Sequence, residues 1–179
     1  MATVNLLPNK DDSNDFTIST GSLAYAVMDD DHTGFISTDG SYLSSTSSGS
    51  IYRFRFSDFT ESADSIDSVQ VVVKAGNNGR GTSFALGMTM INGVIGNFYA
   101  QESSGSLAAS GTYRTISYTN RTTSDGSTAW TTTDVNNLRA ELELTAHSGG
   151  TFRTTYCYAI VTYTEAVATD NSIFFGTNF

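Results

Sequence analysis

The chain has 179 residues, a length that suits one domain with or without a tail and that can bury a substantial core without disulfide bonds. Its formal net charge of −9 disfavours binding to nucleic-acid phosphates and to anionic membranes, whereas a basic partner surface would be attracted. Only 15% of the residues are charged and roughly 50 are Ser or Thr, so we expect a surface rich in hydroxyl groups.

The single cysteine, Cys157, excludes an intrachain disulfide and is expected to be a small buried strand residue. The first residues, MATVNLLPNKDD, lack the basic and apolar regions of a secretory signal. No apolar run approaches the roughly 18 residues that span a bilayer. These features predict synthesis in a cytoplasm, while the composition is typical of proteins outside cells. A virion component released by lysis would reconcile the two.

Strand-sized segments separated by Gly, Ser, Asn and Asp indicate a β-sandwich or barrel, because helical periodicity is nearly absent. Near the amino terminus, residues 11–15 are predicted to form a solvated acidic loop and residues 23–27 a strand. Residues 40–50, GSYLSSTSSGS, are predicted to form a low-complexity surface loop.

The clearest strand is IYRFRF, in which aromatic residues alternate with Arg53 and Arg55. Its aromatic face is predicted to be buried, and its cationic face to meet solvent or a partner. SIDSVQVVVKAG predicts a strand whose middle, residues 69–73, is covered on both sides. FALGMTMINGVIGNFYA predicts a hairpin that turns at Asn92 and Gly93.

The segment from Trp130 to Glu165 is predicted to close the fold. A Thr at 131–133 can cap a short helical turn near residues 132–138, and Asp134 favours its amino-terminal end. Strict alternation then places four residues inward: Leu138, Ala140, Leu142 and Leu144. After HSGG, the long strand TFRTTYCYAIVTYTE is predicted to return and to pair antiparallel with this strand near the middle of one sheet.

The carboxyl-terminal residues 167–179 form an aromatic tail after a polar break. Its apolar side chains would rarely be left in water, so the tail either folds back on its own sandwich or docks on another chain. We predict an interaction segment, with these partner-binding residues: Ile173, Phe174, Phe175 and Phe179.

No pattern for catalysis stands out. The two histidines, His32 and His147, lie in predicted turns, and no G-x-S-x-G nucleophile elbow is present. Glu141 and Glu143 share one strand face, as the paired carboxylates of a glycoside hydrolase could, but we interpret them as part of an ordinary solvated surface. The sequence therefore predicts a protein that is not an enzyme.

Two kinds of ligand site remain open. Asp29, Asp31 and Thr33 alternate before a glycine, like the first half of a calcium loop, although Gly40 stands where the twelfth-position Glu would be. A structural calcium site and a solvated acidic turn are the alternatives there, and no other cofactor is expected. For sugar binding, Trp130 is the best aromatic by type, but its position predicts a core residue. Three tyrosines stay as candidates: Tyr42, Tyr99 and Tyr113.

Five segments in this order, LLPNKDD, DDDHTGFIST, SIDSVQVVVKAG, AWTTTDVNNLRAELELT and TFRTTYCYAIVTYTE, resemble the jelly-roll domains of tailed-phage virion proteins. Such domains occur in capsid decoration (cement) proteins, head fibres and tail-fibre modules, and they are similar to carbohydrate-binding sandwiches. The resemblance implies an all-β, antiparallel jelly-roll β-sandwich over residues 1–166, followed by the tail. Phe16 stands where the family often has a Trp.

The resemblance also implies a function. The leading expectation is a structural virion protein, a capsid decoration (cement or knob) protein that binds the outer capsid surface. Its partners would be the major capsid protein and further copies of itself, as a dimer or trimer, and its location the capsid exterior after synthesis in the host cytoplasm. The alternative is a carbohydrate-binding tail-fibre or adhesin module that binds a surface glycan.

Overall fold

A computed structural model describes residues 1–28, 41–77, 82–90, 102–103 and 114–167. Within these ranges the chain forms eleven β-strands: β1 (Ala2–Leu6), β2 (Pro8–Asn14), β3 (Thr17–Ile18), β4 (Leu43–Ser45), β5 (Ile51–Phe56), β6 (Ala63–Asn77), β7 (Ser83–Met90), β8 (Glu102–Ser103), β9 (Arg114–Ser117), β10 (Leu138–Ala146) and β11 (Phe152–Glu165). It also forms a 3₁₀ helix, Tyr25–Val27, and one α-helix, α1 (Thr132–Asn136). None of the helices in these ranges has the length and apolar character needed to cross a bilayer.

The strands form two antiparallel sheets. The six-stranded sheet has the order β3-β4-β11-β6-β9, with β1 also paired to β11, and the five-stranded sheet has the order β2-β5-β10-β7-β8. The eight strands β4 to β11 thus divide into the sets 4-11-6-9 and 5-10-7-8, which is the double Greek-key arrangement of a jelly roll. The predicted fold class, an all-β jelly-roll β-sandwich, is confirmed.

The core lies between the two sheets, and strand alternation supplies it from both sides. In β5, Tyr52, Phe54 and Phe56 are buried, and the first two rings stack with centroids 4.7 Å apart. The four predicted inward residues of β10 are all buried, as are Phe16 and Cys157. Burying each large apolar side chain contributes roughly 1.5–3 kcal/mol before ordering costs, so this layer dominates the stability of the fold.

The short helix α1 begins as the sequence predicts. Thr131 is its N-cap: its hydroxyl accepts a hydrogen bond from the Asp134 amide at 3.1 Å, and its own amide donates to the Asp134 carboxylate at 2.9 Å. This reciprocal capping box satisfies two amides that the first turn leaves unpaired. Trp130, just before it, is buried and donates from Nε1 to the Arg121 carbonyl at 2.9 Å, which confirms its predicted place in the core.

The predicted pairing of the last two strands is wrong. β10 pairs with β5 and β7 in one sheet, whereas β11 pairs with β6, β4 and β1 in the other. Each is central in its own sheet, and residues 147–151 carry the chain from one sheet to the other. Gly149 and Gly150 have positive φ angles of 145° and 84°, which an L side chain rarely adopts, so the HSGG segment forms an arch between sheets.

Three amino-terminal predictions also need correction. Residues 11–15 are not simply a solvated loop, because most of them belong to β2, which pairs with β5. Residues 23–27 contain the 3₁₀ helix instead of a strand, since the Asp11 carboxylate accepts hydrogen bonds from the amides of Ala24 and Tyr25, both at 2.8 Å. Residues 40–50 include β4, which pairs with β11.

Candidate functional site

A cluster of charged side chains lies on the outer side of the five-stranded sheet. Alternation along β5 and β10 buries their apolar residues and directs the residues between them away from the core. Register then sets Arg55 opposite Arg139 and Arg53 opposite Glu141, and β2 adds Asp12 beside Arg55. We call these five residues the arginine face.

Glu141 is the most buried member of the arginine face. Its side chain is only 3% exposed, and its carboxylate accepts a hydrogen bond from Nε of Arg53, whose own side chain is 38% exposed. The expectation that Glu141 lies on a solvated strand face is therefore wrong. A carboxylate withdrawn from water is costly unless it is paired, and Arg53 is a charged partner that offsets this cost for Glu141.

Asp12 holds the other two arginines. Arg55 Nε donates to Asp12 Oδ1 at 2.7 Å, and Arg139 Nε lies 2.6 Å from Asp12 Oδ2 in an ion pair that is not aligned as a hydrogen bond. Two like charges directly opposite each other on neighbouring strands repel. The shared Asp12 carboxylate offsets this repulsion and fixes both guanidinium groups over the sheet.

The neighbouring strand β7 closes one side of the arginine face. Gly87 pairs with Glu141 and Ala85 pairs with Glu143, and both β7 residues are buried. Exposure rises from there toward β5, where the side chains of Arg53 and Arg55 reach solvent. A ligand approaching this face would therefore meet the arginines first.

The opposite, six-stranded sheet carries aromatic side chains on its outer side. The rings of Tyr156 and Tyr158 in β11 lie 4.9 Å apart with a 40° tilt, and both residues are half-buried. Near the start of the same strand, the Arg153 guanidinium carbon is 4.4 Å from the ring centroid of Tyr42. Tyr42, a predicted sugar-binding candidate, thus has one ring face covered by a cation.

A surface pocket of about 330 Å³ lies beside the 3₁₀ helix, between Thr20 and Val27 and next to Ser41. The lining residues that the structure describes are Gly, Ser, Thr and small or aliphatic residues. The exposed Leu23 forms part of its wall. The hydroxyl groups of Thr20, Ser22 and Ser41 are the side-chain polar groups among these residues.

Most residues that the sequence singled out for ligand or partner binding lie outside the described ranges. These are the calcium candidates Asp29, Asp31 and Thr33, the tail residues Ile173, Phe174, Phe175 and Phe179, and also His32, Tyr99 and Tyr113. His147 is described: its Nδ1 lies 3.3 Å from the hydroxyl of Thr82, which accepts from the buried Asn77 amide at 2.6 Å. In the described part of the chain, no three His, Cys, Asp or Glu side chains cluster as metal ligands would.

Sequence reasoning recognised the outward arginines of β5 but did not join them to a site. The signal was present in the two alternating segments, RFR in β5 and RAE in β10, whose outward positions carry Arg against Arg and Arg against Glu once the strands pair. Asp12 carried no such signal, because it was predicted to lie in a loop.

No protein-family model matches the chain, and no curated protein matches it. Among solved structures, it is similar to the carboxyl-terminal CBM6 of a marine laminarinase from Zobellia galactanivorans, at 13% identity and a TM-score of 0.48 over 90% of this chain and 100% of that one. It is also similar to the CBM35 of Cellvibrio japonicus Abf62, at 15% identity and a TM-score of 0.42 over 93% and 100%. The xylan-binding module CBM15 gives 14% identity and a TM-score of 0.43 over 92% and 100%. Likenesses this distant assign no ligand to this chain, and the fold assignment above depends on its own strand topology.

Proposed function

We propose that this protein is a non-catalytic β-sandwich module that binds a glycan through the arginine face. The observation that carries the proposal is the Arg53–Glu141 pair, a carboxylate held 3% exposed on the outer side of a sheet. A well-packed apolar pair would serve the fold as well or better at such a position, because burying charges costs more than their attraction returns in many proteins. The pair is therefore better explained by binding than by stability.

The chemistry of the face matches that of sugars. Hydroxyl groups both donate and accept hydrogen bonds, and the face offers guanidinium N–H donors beside carboxylate acceptors. Asp12 and Glu141 hold the arginines in place before a ligand arrives, through contacts at Nε. Binding to groups already fixed in position loses less side-chain entropy, which favours affinity.

The same contacts argue against hydrolysis at this site. Glycoside hydrolases use two carboxyl groups, of which one must deliver a proton to the leaving oxygen. Both Asp12 and Glu141 are engaged by arginines, so neither is presented alone above the sheet. The face is arranged to hold a ligand and not to cleave it.

The test is binding to a panel of insoluble and soluble polysaccharides, measured by co-sedimentation and affinity electrophoresis. We expect retention on at least one glycan, and loss of retention when Glu141→Gln weakens the hold on Arg53. Thr145→Ala, on the exposed end of the same strand, is the matched control and should bind like the wild type. Glycan binding that survives Glu141→Gln and all three arginine substitutions would reject the arginine face as the site.

The capsid-decoration function stays a prediction. It depends on the tail residues, which lie outside the described ranges. The calcium candidates also lie outside these ranges. Three related statements also remain predictions: the major capsid protein as partner, self-association as a dimer or trimer, and a location on the capsid exterior. A glycan-binding module on a virion surface would satisfy both functions.

A further inference from the structure

The charged groups of the arginine face differ in how far they reach solvent. The side chains of Arg53, Arg55 and Arg139 are 38%, 29% and 26% exposed, whereas those of Glu141 and Asp12 are 3% and 12% exposed. The acceptors therefore lie beneath the donors. A ligand at this face meets guanidinium groups, with the compensating carboxylates held below them.

The orientation of the guanidinium groups also presents hydrogen-bond donors to a ligand. Arg53 and Arg55 each donate to their carboxylate from Nε. In the part of the chain that the structure describes, the Nη atoms of these two arginines make no hydrogen bond to the protein. The two Nη groups of a guanidinium form a planar fork that matches the two oxygens of a carboxylate. Two such forks stand two residues apart on one strand, roughly 7 Å along it.

The surrounding charge makes this concentration of arginines unusual. The chain has nine Lys and Arg residues against eighteen Asp and Glu, yet three of the nine cations gather on this one face. Arg55 and Arg139 are directly opposite and share one carboxylate, so two positive charges have a single counter-ion between them. An added anion above them would reduce their mutual repulsion.

We infer that the ligand of the arginine face is an anionic glycan that carries carboxylate groups on its sugars, an inference that rests on the proposed glycan-binding function. Each carboxylate would take the Nη fork of one arginine, while sugar hydroxyls would bond to the remaining N–H groups. The net charge of −9 opposes a polyanion at long range, so binding should depend on this local array. The attraction between the exposed guanidinium groups and the carboxylates should weaken with salt.

The probe is polygalacturonate, and its matched control is the same polymer fully methyl-esterified, which keeps the sugar backbone and removes the charge. Isothermal titration should show binding to polygalacturonate that is at least tenfold tighter than to the ester. Raising sodium chloride from about 50 to about 500 mM should weaken it severalfold, because screening shortens the reach of the guanidinium charges.

Substitutions distinguish the contribution of the planar guanidinium donors from that of the positive charge alone. Arg55→Gln and Arg53→Gln should each weaken polygalacturonate binding about tenfold or more, and Arg55→Lys, which keeps the charge without the fork, should recover only part of that loss. Lys74→Gln is the control, because it removes a positive charge from β6 in the other sheet. Its affinity for polygalacturonate should stay within about twofold of that of the wild type. Thermal melts check that every variant is folded.

The other outcomes each contradict the anionic ligand, the glycan assignment or both. Equal binding to the charged and esterified polymers would overturn the anionic ligand and leave glycan binding standing. Equal binding to polyglutamate would show recognition of charge alone and would overturn the glycan assignment. Absence of binding to charged and neutral glycans alike would overturn both.

Discussion

The Tyr52 hydroxyl donates a hydrogen bond to Asp11 Oδ1 at 2.7 Å, and the same carboxylate accepts from the amides of Ala24 and Tyr25. Asp11 thereby ties β2 to β5 and to the 3₁₀ helix with one side chain. Burial, and then the hydrogen bond to Asp11, raise the pKa of Tyr52 well above its ordinary value. The phenol must stay protonated for this junction to hold.

The first prediction is alkaline destabilisation through Tyr52. Because its folded pKa is raised, the contribution of Tyr52 is complete below the unfolded pKa of about 10 and is lost as pH rises above that value. One such proton changes the free energy of unfolding by about 1.4 kcal/mol per pH unit. Tyr52→Phe should therefore reduce the dependence of the free energy of unfolding on pH, measured by urea melts between pH 9 and pH 11. Burial also raises the pKa of the Cys157 thiol, so some slope should remain, and an unchanged slope would contradict the assignment to Tyr52.

The second prediction concerns the core. Leu142 is fully buried on the inward side of β10, so Leu142→Ala should lower the free energy of unfolding by about 2–5 kcal/mol, through lost transfer energy and the cavity left behind. Leu7→Ala is the control, because Leu7 is 38% exposed and should change stability by less than about 0.5 kcal/mol. Denaturant melts measure both. A loss below about 0.5 kcal/mol for Leu142→Ala would contradict its inward position.

The third prediction concerns the start of α1. Thr131→Ala removes the hydroxyl that accepts from the Asp134 amide and should cost about 0.5–2 kcal/mol in the free energy of unfolding. The neighbouring Thr132→Ala keeps the cap and should cost almost nothing. Matching losses in the two variants, measured by the same denaturant melts, would show that the cap does not contribute.

The fourth prediction concerns the tail. A chain truncated after Thr169 should still fold, because every strand that the structure describes ends at or before Glu165. It should fail to decorate capsids, since four apolar side chains that would dock there are removed: Ile173, Phe174, Phe175 and Phe179. Circular dichroism checks folding, and co-sedimentation with capsids measures binding. Wild-type binding by the folded truncation would reject the docking role, and loss of folding would place the tail in the domain's own core.

Local pattern predicted which residues face the core and little about their partners. Alternation in IYRFRF and LRAELEL identified the buried side chains of β5 and β10 correctly, because period two depends only on neighbouring residues. The same alternation is compatible with a hairpin or with an arch between sheets. The choice between them for β10 and β11 depends on contacts with β5, β6 and β7, which are distant in the sequence.

The arginine face shows the same limit in a functional setting. Glu141 looks like an ordinary solvated residue because nothing near it in the sequence demands a buried carboxylate. Its partner Arg53 lies 88 residues away along the chain, and the two meet only when β5 and β10 pair. Asp12 became a candidate only once its segment was found to be a strand, held by side-chain hydrogen bonds that the sequence pattern does not reveal.

The placement of β10 and β11 in opposite sheets has a consequence for biosynthesis. A ribosome must translate past residue 138 before β5 and β7 acquire the strand that joins them, and past residue 152 before β4 and β6 acquire theirs. Until then the nascent chain can form only partial ladders such as β6 with β9, with long unpaired edges exposed. Each sheet therefore gains its central strand after its other described strands have been made, the five-stranded sheet with β10 and the six-stranded sheet with β11.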